Sequence, residues 1–335
     1  MTVPALAPAP LPRGLSVVVP CYHSAGSIGL LVEQLRPVLA AAAPAYEIIL
    51  ADDASGDGTA AVIAQLAADH PEVTAIALMR NYGQHAALLC GVRAARFDVV
   101  VTMDDDLQHP PAELPRLLAA LTDDVDVVYG TAQRQPHGLF RGLASRLTKR
   151  VLQGAMGADT AGKVSAWRVF RTHLRAAFAD FRGSFVSIDV LLTWGTHRFT
   201  HVLVRHDPRT IGTSNYTLRK LVTHAVNMMT GFSTIPLQLA SLIGFVLTGF
   251  GLVVMAYVLV RYALDGGSAP GFPFLACIIS IFSGAQLLCL GIIGEYLGRA
   301  HFRLLDRPSY VVRSAQVGAD RTIAEAATTP TPASS

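Results

Sequence analysis

Five short runs rich in β-branched residues recur at regular intervals: Leu15–Pro20 (LSVVVP), Tyr46–Asp53 (YEIILADD), Val73–Met79 (VTAIALM), Asp98–Asp104 (DVVVTMD) and Val125–Gly130 (VDVVYG). Their length and continuity predict strands. Between them, Ile28–Ala42 and Thr59–Ala68 repeat apolar residues at helical spacing. Strands alternating with helices predict a mostly parallel sheet covered on both faces, a Rossmann-like α/β domain. In such sheets ligands bind beyond the carboxyl ends of the strands.

The pattern then changes. Leu237–Val260 and Phe272–Gly294 carry no charge, and each exceeds the roughly 20 residues that span a bilayer as a helix. The connector RYALDGGSAPG predicts a hairpin, which puts both flanks on one side. Arg205, Arg209, Arg219 and Lys220 precede it and Arg299, Arg303, Arg307 and Arg313 follow, whereas the connector balances Arg261 against Asp265. By the positive-inside rule both termini and the α/β domain are cytoplasmic, on a multi-pass protein of the plasma (inner) membrane. Leu218–Phe232 mixes basic and apolar residues at helical spacing, as an interfacial helix or a buried packing helix would.

Six segments are therefore expected: a flexible tail (1–14), the catalytic α/β domain (15–215), a juxtamembrane amphipathic segment (216–235), the hairpin (236–298), a cytoplasmic juxtamembrane segment (299–314) and a disordered tail (315–335). Composition agrees with a lipid-embedded part: 51% of residues are hydrophobic and only 15% charged, against the usual quarter. A net charge of +3 is too small to argue for nucleic acid. Cys21, Cys90, Cys277 and Cys289 lack metal-ligand spacing, and two fall in the most apolar stretches, so they read as small hydrophobes in a reducing compartment.

The polar residues cluster where the strands end. PCYHSAGSI follows the first, ADDASGDGT the second, RNYGQHAALLCGV the third and MDDDLQHPP the fourth. A helix start after the first turn offers amides to a phosphate. Asp52 and Asp53 suit a base or ribose hydroxyl, or else a cap and turn, and Arg80 suits a phosphate or open solvent. Three adjacent aspartates resist burial and need water or a cation. On an extended backbone Asp104, Asp106 and Gln108 share one face while Asp105 points elsewhere. Two carboxylates and an amide oxygen make a hard site suited to Mg²⁺ or Mn²⁺ and diphosphate.

In this order, with the C-terminal hairpin and GIIGEYLGR…RPSYVV, the motifs resemble the family-2 glycosyltransferases that charge polyprenyl phosphates, over nearly the whole chain apart from the tails. RNYGQHAA and LFRGLASR are closest to the branch that transfers 4-deoxy-4-formamido-L-arabinose, with glucosyl and mannosyl branches open. The resemblance implies a GT-A domain and inverting transfer from a nucleotide-sugar donor to undecaprenyl or decaprenyl phosphate at the cytoplasmic leaflet. The lipid-linked sugar would serve cell-envelope glycan or lipid modification. It also implies a homo-oligomer, often a tetramer.

Carried over, the metal motif falls on Asp104, Asp106 and Gln108, and the donor contacts on Pro20, Tyr22, Asp52, Asp53, Arg80, Asn81, Asp104 and Asp105. Arg141 and Ser145 match the acceptor-phosphate motif, and Arg209, Ser214 and Tyr216 a segment closing over the site. Asp106, Arg168 and Arg141 are the expected catalytic residues, with Arg168 beside the departing diphosphate and Asp189 a weak candidate acid. Two departures stand out: the usual YNEEEN is YHSAGS, which puts His23 in place of an asparagine, and Asp105 replaces a small residue. A phosphate acceptor is already an anion and needs no strong general base. Two other readings compete. A processive polysaccharide synthase would need more spans than one hairpin, and a non-catalytic nucleotide-sugar sensor or flippase scaffold would have no use for a metal triad.

Overall fold

A computed structural model describes residues 13–132, 164–183, 186–207, 235–264, 271–305 and 307–318. The chain divides into two compact units, Met1–Thr217 with Arg307–Ser335, and Leu218–Asp306.

The first unit is built on a sheet of eight strands, β1 (Leu15–Cys21), β2 (Tyr46–Asp52), β3 (Val73–Leu78), β4 (Val99–Thr102), β5 (Val127–Ala132), β6 (Arg168–Arg171), β7 (Phe199–Val204) and β8 (Val312–Val317), in the order β7-β5-β6-β4-β1-β2-β3-β8. Four of its seven pairings are parallel (β1 with β2 and β4, β2 with β3, β5 with β7), and three are antiparallel. This mostly parallel, helix-covered sheet is the expected GT-A-type arrangement.

Period-two alternation divides the strands between two cores. Leu15, Val17, Val19, Ile48, Leu50, Val99 and Val101 join one cluster with Ile28, Leu31, Leu35 and Leu39 of α1 (Ile28–Ala42) and Ile63 of α2 (Thr59–Asp69). On the other face Val18 meets α3 (Gln84–Ala94) at Gly91, where a Cβ would lie 2.3 Å from Val18 Cγ1. Only a glycine permits that approach of helix to sheet. α4 (Leu114–Ala119) and α5 (Ile188–Gly195) complete the layers.

Two features differ from expectation. β4 stops at Thr102, so the aspartates lie in a turn beyond the strand. The disordered tail expected from residue 315 begins with ordered residues: β8 pairs antiparallel with β3, from Thr74↔Val317 to Leu78↔Val312. The open edge of β3 offers unpaired backbone groups, and the Val-Arg-Ser-Ala-Gln-Val run can cover them while its Arg, Ser and Gln side chains stay exposed.

In the second unit, α6 (Ile235–Leu264) and α7 (Phe272–Leu304) run antiparallel. The Cys289 thiol donates to the Ala240 carbonyl at 3.5 Å, and Gly251 lies against the Phe282 ring. Ala240–Arg261 is long and apolar enough to cross a membrane, with mean hydropathy 2.4, and α7 holds a shorter apolar stretch, Phe282–Gly298. The expected amphipathic segment Leu218–Phe232 lies outside the described residues.

Candidate active site

Parallel register brings the ends of the central strands to one edge of the sheet, Cys21 beside Asp52 and Asp52 beside Ala77. The loops that leave this edge are joined in a closed ring of hydrogen bonds. The loop after β1 binds the loop after β2: His23 N–H donates to Ser55 Oγ at 3.0 Å and Ser24 N–H to Thr59 Oγ1 at 2.9 Å. The end of β2 binds the loop after β3, since Asp53 accepts from the Tyr82 and Gly83 amides at 2.7 and 2.8 Å. Gln84, which opens α3, donates through Nε2 to Asp104 Oδ1 at 2.6 Å. Asp105 closes the ring, its Oδ2 accepting from the Ser24 hydroxyl and from the Tyr22 amide at 3.4 Å.

Three non-glycine residues in these loops have left-handed backbones: His23 (φ 58°), Ala54 (φ 56°) and Leu107 (φ 61°). Each costs about 1–3 kcal/mol and persists only where its surroundings enforce it. All three follow the exits of β1, β2 and β4, three of the four strands whose ends form the ring.

Asp52 and Asp53 are buried. Asp52 accepts from the Ser55 amide with both oxygens at 3.2 and 3.3 Å, which closes a tight turn. Burial pushes the Asp53 carboxyl above its ordinary range, a rise that the Tyr82 and Gly83 amides oppose. Gly83 adopts φ 95°, the left-handed half of backbone space that glycine favours, to present its amide there. A nucleotide hydroxyl must therefore compete with backbone amides for either carboxylate. Arg80 and Asn81 are exposed at the rim, the Arg80 guanidinium 4.6 Å from the centroid of the Tyr82 ring. Pro20 is buried within β1 beside Ala51. Tyr22 is 47% exposed and meets the His23 ring edge-on at 4.3 Å between centroids.

The metal motif is not extended. Asp106 Oδ1 accepts from the Gln108 amide at 3.1 Å and Leu107 is left-handed, so the run folds into a turn. The expected strand alternation is lost, although two partly exposed carboxylates and an amide remain within five residues. Asp105 faces the β1 loop. Burial raises its carboxyl above the ordinary range, the Ser24 and Tyr22 bonds lower it, and the charge of Asp106 raises it.

The donor set is all oxygen, as Mg²⁺ and Mn²⁺ prefer. Among the described residues no group of three His, Cys, Asp or Glu side chains could hold a metal. Asp104, Asp106 and Gln108 are oxygen donors by type, and a cation held by so few protein ligands would draw the rest of its shell from phosphates and water. Gln108 is tied to the segment leaving β7: its carbonyl accepts from the Asp207 amide at 3.0 Å and its Nε2 reaches the Asp207 carbonyl at 3.5 Å.

Arg168 is the residue expected beside the departing diphosphate. It opens β6 and is 3% exposed. Nε and Nη2 donate to the two oxygens of Asp189 at 2.7 and 2.9 Å, and Nη1 to Thr102 Oγ1 and the Ala166 carbonyl at 3.1 and 3.0 Å. Every guanidinium nitrogen is thus engaged within the fold, and Nη1 ties β6 to Thr102, the last residue of β4. Asp189, in the first turn of α5, also accepts from the Tyr129 hydroxyl at 3.0 Å. Burial pushes its carboxyl up and Arg168 more than reverses this, holding it below the ordinary range.

Sequence reasoning missed His109. It is buried between Trp167 and His206, with ring centroids 5.3 and 5.2 Å away. Burial, with the charges of His206 and Arg168, lowers it to about 4, so the ring is a neutral wedge. Arg141, Ser145, Arg209, Ser214 and Tyr216 lie outside the described residues.

Comparison with known proteins places this geometry. The family description "Glycosyl transferase family 2" matches residues 16–175. An undecaprenyl-phosphate 4-deoxy-4-formamido-L-arabinose transferase of Yersinia enterocolitica serotype O:8 is 35% identical over 315 residues, covering 92% of this chain and 95% of that protein. Its counterpart in Pectobacterium carotovorum is 34% identical and covers 90% of this chain and 93% of that one. Among solved structures, mannosyl-3-phosphoglycerate synthase from Rubrobacter xylanophilus superposes with a TM-score of 0.43 at 22% identity, covering 64% of this chain and 70% of that one. With a relative 35% identical over 92% of this chain and 95% of its own length, the chain belongs to glycosyl transferase family 2.

Proposed function

We propose that this protein transfers a sugar from a nucleotide-sugar donor to a polyprenyl phosphate, inverting the anomeric centre, at the cytoplasmic face of the membrane. The observation that carries the reading is the extent of the match. The Yersinia relative, whose name states an undecaprenyl-phosphate acceptor, aligns over 92% of this chain, well beyond the 16–175 segment common to the wider family.

The chain supplies an acidic, strained crevice at its strand ends. Asp104, Asp106 and Gln108 would hold Mg²⁺ or Mn²⁺, which when bound neutralises charge on the leaving diphosphate. Of the expected donor contacts, Tyr22, Arg80 and Asn81 are exposed and available to the nucleoside and phosphates. The acceptor phosphate is anionic at neutral pH, so its oxygen attacks the anomeric carbon without a protein base, from the face opposite the nucleotide. Arg141, Ser145, Arg209, Ser214 and Tyr216 are assigned to the acceptor, on the resemblance alone. Arg168 and Asp189 fix the end of β4.

Sheet topology supports the membrane reading. Because β8 pairs with β3, the chain on either side of α6 and α7 belongs to one sheet, and any crossings between must be even in number. Two helices and flanking arginines fit a hairpin with both ends cytoplasmic.

The test is to offer the purified protein undecaprenyl phosphate with a panel of nucleotide sugars and to identify the lipid product by mass spectrometry. A single sugar on the polyprenyl phosphate is expected. A polymer, or no lipid product with any donor, refutes the reading.

A further inference from the structure

Asp105 is the aspartate that the metal motif leaves over, and the fold ties it down. Its Oδ2 receives the Ser24 hydroxyl and the Tyr22 amide, while that amide also reaches Ser24 Oγ at 2.9 Å. Ser24 is buried, so its hydroxyl has no exchange with bulk water to fall back on. A hydroxyl bond to a carboxylate is about twice as strong as one between neutral groups. From Ser24 the tie continues through its amide to Thr59 Oγ1, and from that hydroxyl to Asp57 Oδ1 at 2.6 Å. The residue between Tyr22 and Ser24 is His23, at φ 58°. A non-glycine residue leaves that region unless its neighbours hold it.

We propose that Asp105 is a positioning residue for the donor: through Ser24 it locks the strained exit of β1, so that Tyr22 stands ready against the donor's nucleoside. The identity of the ligand rests on the nucleotide-sugar reading above, whereas the lock is a property of the chain itself. Loss of the lock lets His23 relax and costs donor affinity, with little effect on cation affinity.

The full-length protein in detergent micelles tests this in two independent ways. Hydrogen exchange over residues 15–27 reads the lock. Titration with UDP and with GDP, and separately with Mn²⁺ alone, reads the ligands. Asp105→Ala and Ser24→Ala are each expected to speed exchange at Tyr22 and Ser24. Each should weaken the nucleoside diphosphate that binds the wild type by about tenfold, the scale of one lost charge-assisted hydrogen bond. Because both remove the same contact, the double variant should be no worse than the worse single one. Asp105→Asn keeps an acceptor oxygen and should stay within about threefold of wild type.

Unchanged exchange in Asp105→Ala, or additive losses in the double variant, would overturn the lock. An Asp105→Asn variant as impaired as Asp105→Ala would overturn it too. A loss of Mn²⁺ affinity in Asp105→Ala without nucleotide would instead assign Asp105 to a cation. If the wild type binds neither nucleotide, the donor role falls, and the exchange data alone decide whether the lock exists.

Discussion

Asp189→Asn is the most informative single change outside the metal turn. The substitution keeps size and shape and can still accept from Tyr129, but it leaves the Arg168 guanidinium charged and buried, with side chains 3% and 10% exposed in the parent pair. Removing one partner of a buried pair costs about 3–5 kcal/mol, mostly the penalty of the stranded charge. With a urea dependence of about 3 kcal/mol/M for a domain of this size, the unfolding midpoint should fall by about 1 M or more.

The chain carries its own reporter. It has two tryptophans, Trp167 fully buried beside Arg168 and Trp194 exposed on α5. In a Trp194→Phe background, Trp167 fluorescence follows unfolding of the sheet domain in micelles. Arg168→Met combined with Asp189→Leu should be less damaging than Asp189→Asn alone, because no charge is left buried. A midpoint for Asp189→Asn within about 0.2 M of the parent, or a double variant worse than both single variants summed, would refute the reasoning.

Other outcomes follow from the same geometry. Asp106→Ala should abolish sugar transfer, and chelation should abolish it reversibly in the parent; chelator-insensitive turnover would exclude the cation. Gly91→Ala drives a methyl into Val18 and should cost about 1–3 kcal/mol in the same urea assay; a neutral result would show that helix and sheet can separate. Stability should also depend on pH in two opposed steps. Asp53 and Asp105 have raised carboxyls, so stability is gained as pH falls through their folded values. Asp189 and Asp126 are lowered, Asp126 by Arg198 and Thr196 against the effect of burial, so their contribution is complete above the ordinary carboxylate range and is lost as pH falls through their folded values. A urea midpoint that stays flat from about pH 5 to about pH 2 would contradict the second step.

How far the fold was legible depended on how local its causes were. β1 to β5 announced themselves because a strand buried on both faces must be apolar and β-branched, whatever it pairs with. β6 was missed because it is four residues long and opens with an arginine whose partner, Asp189, lies 21 residues on. β8 was missed because an edge strand can be largely polar, as Arg313, Ser314 and Gln316 make this one. In the site, the residue types of the metal motif were readable and their geometry was not. Strand alternation requires an extended backbone, and the left-handed Leu107 with its Asp106–Gln108 turn breaks it. Asp53 reads in sequence as a ligand, and only the return of the β3 loop shows which amides claim it.

The pairing of β8 with β3 also bears on how the protein is made. A ribosome delivers β1 to β7 and both long helices before residues 312–317 emerge, so for that interval the β3 edge stands open. An uncovered edge is a template for pairing with other chains. Synthesis of this protein therefore includes a window of aggregation risk that closes only when the final strand arrives. A stop codon anywhere in the second unit would leave the sheet with an unguarded border.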